Sequence, residues 1–141
     1  MVVNIRVTIE SDFEGIASLL KSTNLADNYF TKEKFNMMIE RNKGFCFVAE
    51  EDKKIVGSVF GNHDGAFRGY IQKIAVSEKY KRQGIASRLI ITVLRRLDEI
   101  KIPLVFAHAE KNNTASIDLL KSLGFEIRDS HYLIDRGFQL R

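Results

Sequence analysis

The segment Ile74-Ala75-Val76-Ser77-Glu78-Lys79-Tyr80-Lys81-Arg82-Gln83-Gly84-Ile85-Ala86-Ser87 has the residue types to hold an anion. A strand-forming run ends, a basic loop follows, and a helical pattern begins at a glycine. A helix start presents amide donors with no intrahelical partner, at the positive end of the helix dipole. Gly84 lacks a side chain, so a phosphate can approach the backbone. Ala86 and Ser87 keep the first turn uncrowded, and Lys81 and Arg82 add positive charge. This is a competent diphosphate cradle. The same letters also describe a helix that simply begins at a glycine under a basic loop. Two rival phosphate loops are excluded. Gly84 has no partner glycines for a dinucleotide fingerprint, and no G-x-x-x-x-G-K-[ST] occurs.

The flanking elements follow from hydrophobic spacing. Val2 to Val7 alternates and reads as a strand. Ser11 and Glu14 have the spacing of a capping box for a helix carrying Phe13, Ile16, Ala17 and Leu20. Asn24 to Phe30 is a loop, and Thr31 caps a second helix with Phe35, Met38 and Ile39 inward. Phe45–Ala49, Ile55–Phe60 and Tyr70–Val76 read as strands, the first two joined by a turn at Glu51-Asp52-Lys53. Ile55–Phe60 is apolar at nearly every position, as expected of a strand covered on both faces. Ile85, Leu89, Val93, Leu97 and Ile100 form the inner stripe of a long helix that Pro103 ends. Leu104–Ala109 is a further strand. Asn112, Asn113 and Thr114 cap a helix that closes at Gly124. Phe125–Ile127 and His131–Ile134 read as two last strands. The order is β-α-α-β-β-β-α-β-α-β-β. It predicts an α/β (α+β) fold with a mixed, mostly antiparallel sheet of about seven strands and helices on both faces.

Composition sets the limits. At 141 residues the chain is one domain, 1–141, since a domain takes roughly 100–200 residues. Apolar residues make up 45% and proline occurs once, which argues against disorder. Cys46 is the single cysteine, so there is no disulfide framework. No apolar run approaches the ~20 residues of a membrane span, and Met1 to Arg6 has no signal pattern, so a cytoplasmic location is expected. A net charge of +4, scattered along the chain, argues against a nucleic-acid binder. His63, His108 and His131 lie far apart, so no metal site is expected.

The anion-binding segment also carries a resemblance. Lys81-Arg82-Gln83-Gly84-Ile85-Ala86 resembles the [R/Q]-x-x-G-x-[G/A] signature of the GNAT N-acetyltransferase superfamily, with Lys81 in place of the usual first residue. Asn113-Thr114-Ala115-Ser116-Ile117-Asp118-Leu119-Leu120-Lys121-Ser122-Leu123-Gly124-Phe125 resembles the family's N-x-x-A-x-x-L-Y-x-x-x-G-F. The strand pair around Gly57 also fits. The chain is similar to the small bacterial and archaeal group of ribosomal-protein alanine acetyltransferases. The resemblance implies a GNAT fold that moves the acetyl group of acetyl-CoA directly to a primary amine. The amine could belong to a protein N-terminus or lysine, a polyamine, an amino acid or an aminoglycoside. It implies that the backbone of Ile74, Ala75 and Val76 pairs with the pantetheine arm. It further implies that amides from Arg82 through Gln83, Gly84, Ile85 and Ala86 to Ser87 hold the pyrophosphate, and that Asn113 bonds the cofactor. The sheet would splay between the strand ending at Val76 and the strand Leu104–Ala109.

Amine acetylation requires a base, because an ammonium is not a nucleophile. The alanine-acetyltransferase type places a glutamate five residues before the motif asparagine, and His108 stands there. Imidazole is suited to that exchange. His108 could equally fill a sheet position without moving a proton. Glu110 is a rival carboxylate, and Gln72 could order a water. The family often places a tyrosine seven residues after the asparagine. Here Leu120 replaces it, leaving Tyr132 or water as proton donor, or no donor. Leu120 also admits a non-catalytic acyl-CoA-binding module as the alternative. Tyr29 and Phe30 either line an acceptor pocket or anchor their loop. Cys46 reads as core, and His63 and Asp64 as a solvated turn. Many members of this fold self-associate, but no exposed apolar stripe argues for a homodimer here.

Overall fold

The computed structural model describes residues 2–135. The chain divides into two compact units, Met1–His108 and Ala109–Arg141. The first holds β1 (Asn4–Val7), α1 (Phe13–Ser22), α2 (Lys32–Arg41), β2 (Cys46–Glu51), β3 (Lys54–His63), β4 (Arg68–Val76), α3 (Ile85–Glu99) and β5 (Leu104–Ala107). The five strands form one sheet in chain order. β1 to β4 are antiparallel neighbours, and β5 joins β4 in parallel after the α3 crossover. Short turns close the hairpins. Asp52 and Lys53 both adopt positive φ (47° and 64°), the geometry that matches the twist of a two-residue hairpin. Asp64 Oδ1 accepts the amides of Ala66, Phe67 and Arg68 at 2.7–3.0 Å, and His63 Nδ1 accepts the Gly65 amide at 2.9 Å. His63 and Asp64 are therefore turn builders.

Both faces of the sheet are covered, as the unbroken apolar run of β3 requires. One face carries Cys46, Val48, Phe60 and Ala75 against Ile16, Leu19 and Leu20 of α1 and Phe35 of α2. The other receives α3, whose Leu89, Val93 and Leu97 are fully buried. Glycines let α3 sit close. A Cβ on Gly57 would lie 3.2 Å from both Ile85 and Leu89, and one on Gly61 would lie 2.6 Å from Val93 and from the Phe45 carbonyl. Any side chain at Gly61 would force backbone or helix to shift.

The start of α1 departs from the expected capping box of Ser11 and Glu14. A 3-10 turn, Glu10–Asp12, precedes the helix, and Asp12 stands at the N-cap position of α1 without a side-chain bond to an α1 amide. Asp12 Oδ2 accepts the Ile9 amide at 2.8 Å. Its two oxygens also take Arg6 Nη1 and Nη2 at 2.9 and 2.8 Å. A guanidinium partner from β1 outweighs a local hydroxyl cap.

The second unit contains α4 (Thr114–Ser122). Asn113 Oδ1 caps it by accepting the Ser116 amide at 3.1 Å. Gly124, at φ +95°, closes it, with the Phe125 amide on the Leu120 carbonyl at 3.0 Å. The expected strands Phe125–Ile127 and His131–Ile134 do not form: the described sheet has five strands, not about seven. This stretch holds a turn, the His131 amide on the Arg128 carbonyl at 3.4 Å, a Ser130 Oγ–His131 Nδ1 hydrogen bond at 3.1 Å and an Arg128–Glu126 ion pair at 2.9 Å. Alternating apolar residues define a face but not a ladder partner, and an isolated two-stranded piece this short is marginal. β5 is also shorter than Leu104–Ala109. It ends at Ala107, leaving His108 and Ala109 beyond the ladder.

Candidate functional site

The site begins with an irregularity in β4. The β3–β4 register runs Asn62↔Tyr70, Gly61↔Ile71, Phe60↔Gln72, then Ser58↔Ala75. Val59 thus faces both Lys73 and Ile74, which is a β-bulge. Lys73 takes φ +51°, a left-handed conformation costing a side-chain-bearing residue about 1–2 kcal/mol. Bulges bend the strand that carries them. The parallel β4–β5 ladder covers only Arg68↔Leu104 to Ile71↔Ala107. β5 ends at Ala107, opposite Ile71, and the ladder stops with it. β4 runs on to Val76, so its stretch from Gln72 to Val76 has no ladder partner on the β5 side.

After Val76 β4 enters the basic loop. The Ser77 amide bonds the Val56 carbonyl at 2.8 Å, and a 3-10 turn, Glu78–Tyr80, follows. Tyr80 is buried, and its hydroxyl donates to Glu51 Oε1 at 2.6 Å, tying the loop to the end of β2. That carboxylate raises the phenol pKa above its ordinary value. Lys81 pairs with Glu78 at 3.0 Å. Arg82 and Gly84 adopt positive φ (65° and 78°), and Gly84 caps α3. A Cβ built on Gly84 meets nothing within 4 Å. The glycine leaves open space over the first amides of a fifteen-residue helix. The residues present therefore fit a diphosphate held on backbone donors.

A second concavity lies on the α1–α2 face of the sheet. It encloses about 310 Å3. Phe30, Phe35, Met38 and Phe60 form its apolar lining, and Asp27, Tyr29, Lys34, Gln72 and Lys73 the rest. The rings pack with centroids 6.0 Å apart for Phe30–Phe35 and for Phe30–Phe60, and 6.2 Å for Phe35–Phe60. Lys73 Nζ bonds Asp27 Oδ2 at 2.9 Å and lies 5.7 Å from the Phe30 ring centre. The Lys73 hydrogen bond holds the Asp27 carboxyl below its ordinary range, against a smaller upward push from burial, and the Tyr29 amide adds to the lowering. Tyr29 and Phe30 thus both line this concavity.

Of the residues singled out by sequence, Ile74, Ala75 and Val76 end β4, and Lys81 to Ser87 form the following loop and the first turn of α3, all in the first unit. His108 ends that unit. It is exposed and follows Ala107, the last paired residue of β5. Asn113, Glu110, Leu120 and Tyr132 belong to the second unit. Asn113 Oδ1 is engaged as the cap of α4, and Leu120 is buried. Burial pushes the Cys46 thiol up to about 11, consistent with core packing and not with a nucleophile. Among the described residues no group of three His, Cys, Asp or Glu could hold a metal ion, and no helix is long and apolar enough to cross a membrane.

Sequence reasoning missed the bulge, the Lys73–Asp27 contact and Tyr70. Tyr70 stacks on Phe106 with centroids 5.7 Å apart and precedes Gln72 by two residues, which puts its phenol on the pocket face of β4. Strand alternation alone would have placed it there.

The sequence pattern of the acetyltransferase (GNAT) family matches residues 13–125. The chain belongs to the acetyltransferase (GNAT) family. As a GNAT protein it is an enzyme of acetyl transfer to amines. It is 30% identical over 136 residues to acetyltransferase SG1711 of Sodalis glossinidius, covering 94% of this chain and 93% of that one. It is 35% identical over 83 residues to the N-alpha-acetyltransferase MAK3 of Arabidopsis thaliana, a match covering 57% of this chain and less than half, 44%, of the plant protein. The GNAT fold itself superposes on Ard1 from Thermoplasma volcanium with a TM-score of 0.81 at 23% identity, covering 91% of this chain and 85% of that one.

Proposed function

We propose that this GNAT enzyme binds acetyl-CoA along β4 and the β4–α3 loop and transfers its acetyl group to an amine seated in the α1–α2 pocket. The observation that carries this reading is the end of the β4–β5 ladder at Ile71 beside a bulge, with the pocket on one face of the sheet and the open Gly84 cradle beyond the strand's end.

Acetyl-CoA supplies an activated acyl carbon and a thiolate leaving group. The backbone of Ile74, Ala75 and Val76, which lies beyond the β4–β5 ladder, pairs with its amide-bearing arm as a strand would. The amides of Arg82 to Ser87 receive its diphosphate, with Arg82 and Lys81 adding charge. The amine nitrogen forms a bond to the acyl carbon as the carbon–sulfur bond breaks. His108 takes the proton that the amine must lose. Its place supports that role: His108 is exposed and follows directly on Ala107, the last β5 residue paired with β4. A strand amide near Val76 is placed to receive the oxyanion. A thiol titrates near ~8.5, so the leaving group requires no strong acid and Leu120 is no obstacle.

Calorimetric titration with acetyl-CoA tests the reading. Wild type binds, and Gly84→Glu, which puts an anion into the cradle, does not. Absence of binding by wild type overturns the proposal. The second reading, an acyl-CoA-binding module without turnover, is favoured by Leu120 alone. Acetylation of any amine by the wild type, lost in His108→Ala, dismisses it.

A further inference from the structure

We infer that the α1–α2 pocket selects an α-amine flanked by a bulky apolar side chain, as at the first residue of a peptide beginning with Met, Leu or Phe, and rejects polycationic amines. This rests on the acceptor assignment above.

The apolar lining is fixed. Phe35 and Phe60 are 1% and 2% exposed and meet edge to face, so they form a rigid wall and not a collapsible one. Met38 beside them is a flexible, polarisable side chain that adapts to guests of different shape. At about 310 Å3 the space is at the low end of the ~300–1,000 Å3 usual for ligand pockets. It suits one side chain and its backbone, not a multi-ring aminosugar.

Charge on the rim decides the rest. Lys34 and Lys73 stand against Asp27, the one carboxylate among the lining residues. Asp27 is already bonded to Lys73 at 2.9 Å. A polyamine or aminoglycoside brings further ammonium groups and finds cations where it needs carboxylates. Those same cations favour loss of the proton from a nearby ammonium. An α-amine, titrating near ~8, then becomes nucleophilic far more readily than a lysine side chain near ~10.4.

The test compares kcat/KM for short peptides that differ only in residue one (Met, Leu, Phe, Gly, Ser, Lys), for spermidine and for kanamycin. It also measures binding of the same acceptors to the CoA-saturated protein. Apolar first residues are expected to exceed Gly and Ser by roughly ten- to a hundredfold, from burial of one side chain. Met38→Ala should move the optimum to the largest side chains. Lys34→Glu, an exposed change in the first turn of a helix where an acid is tolerated, should raise spermidine relative to the Met peptide about tenfold. Equal kcat/KM across first residues, or a preference for spermidine in wild type, overturns the inference while leaving acetyl transfer intact. Selective binding of apolar-first peptides without turnover supports the pocket assignment and overturns the transfer reading. Neither binding nor turnover overturns both.

Discussion

Lys73 Nζ and Asp27 Oδ2 lie 2.9 Å apart, joining the bulge of β4 to the loop between α1 and α2. The contact holds together the two elements that bound the acceptor pocket. Both side chains are partly exposed, so the pair adds at most about 1 kcal/mol to stability. Its consequence is positional. Asp27→Asn should raise KM for the amine several-fold while Tm and acetyl-CoA affinity hardly move. The pH sign follows from the lowered Asp27 pKa. The contact is complete above the ordinary carboxylate range and is lost only as pH falls through the lowered value. KM for a fixed acceptor protonation state should therefore not respond to this pair between about pH 5 and 8, a range that lies above the ~3.9 of an unperturbed aspartate. Steady-state kinetics on the variant and wild type check both statements.

Gly84 separates stability from binding. Open space surrounds its Cβ position, so a substitution there meets only the cost of φ +78°. Gly84→Ala should lose about 1–2 kcal/mol, read as a Tm drop of several degrees, and keep measurable acetyl-CoA binding. Gly84→Glu should lose a similar amount of stability and bind acetyl-CoA at least about a hundredfold more weakly, because an anion is placed against a diphosphate at roughly 4 kcal/mol for an effective dielectric near 20. Thermal melts and calorimetry on the two variants separate the effects.

The segment from the end of β4 into α3 was legible in the sequence because its elements are local in the chain. Strand, loop, glycine and helix follow one another from Ile74 to Ser87, and each leaves its own spacing. Thr31 and Asn113 announced their helices because a cap is a three-residue relationship. The relationships that failed to show are non-local. Nothing in Gln72-Lys73-Ile74 reveals that Val59 faces two residues, since a bulge is defined only once β3 is placed beside β4. Asp27 and Lys73 are 46 positions apart. Phe125–Ile127 and His131–Ile134 show the opposite failure: the alternation is present, but the described structure gives it no ladder partner. Ser11 and Glu14 had correct capping spacing and were displaced by Arg6, six positions before Asp12.

The Arg6 guanidinium is the main charge in the corner where β1 meets α1. It bonds Asp12 at 2.8 Å and Glu50 at 2.9 Å. Burial pushes the Asp12 carboxyl up, but the Arg6 bond and the Ile9 amide outweigh it and leave the pKa lowered. Arg6→Met should leave a carboxylate that is 5% exposed without a cation. The loss should be about 2 kcal/mol, below the ~3–5 of a fully buried pair because Arg6 is itself about a third exposed. Because the Asp12 pKa is depressed on folding, its stabilising contribution is present above the unfolded value near ~3.9 and disappears as pH falls through the folded one. Urea melts from pH 7 to 3 should show wild type losing stability at the acid end, with the gap to Arg6→Met narrowing there. A gap that stays constant across the series would mean the pair stabilises by packing alone.

His108 is the remaining decision, and kinetics can settle whether it moves a proton. The residue is exposed and lies beyond the β5 ladder, so removing it should change Tm by less than about 0.5 kcal/mol equivalent. A positioned base contributes roughly 10²–10⁴-fold. His108→Gln should therefore lower kcat by at least about a hundredfold with little change in the acetyl-CoA KM. Loss of binding instead would give the opposite split. The pH profile of kcat at saturating acceptor, which is free of the acceptor amine's own ionisation in solution, adds a signature that a structural role cannot mimic. An imidazole base is inactive when protonated, so wild-type kcat should fall on the acid side, and that limb should be absent in His108→Gln. Tyr70→Phe provides the companion measurement on the same face of the sheet. If the phenol donates a proton to the leaving group, its loss lowers kcat and alters the basic limb, leaving the acid limb to His108. If His108→Gln keeps the acid limb, the base lies elsewhere, and Glu110 is the next carboxylate to replace.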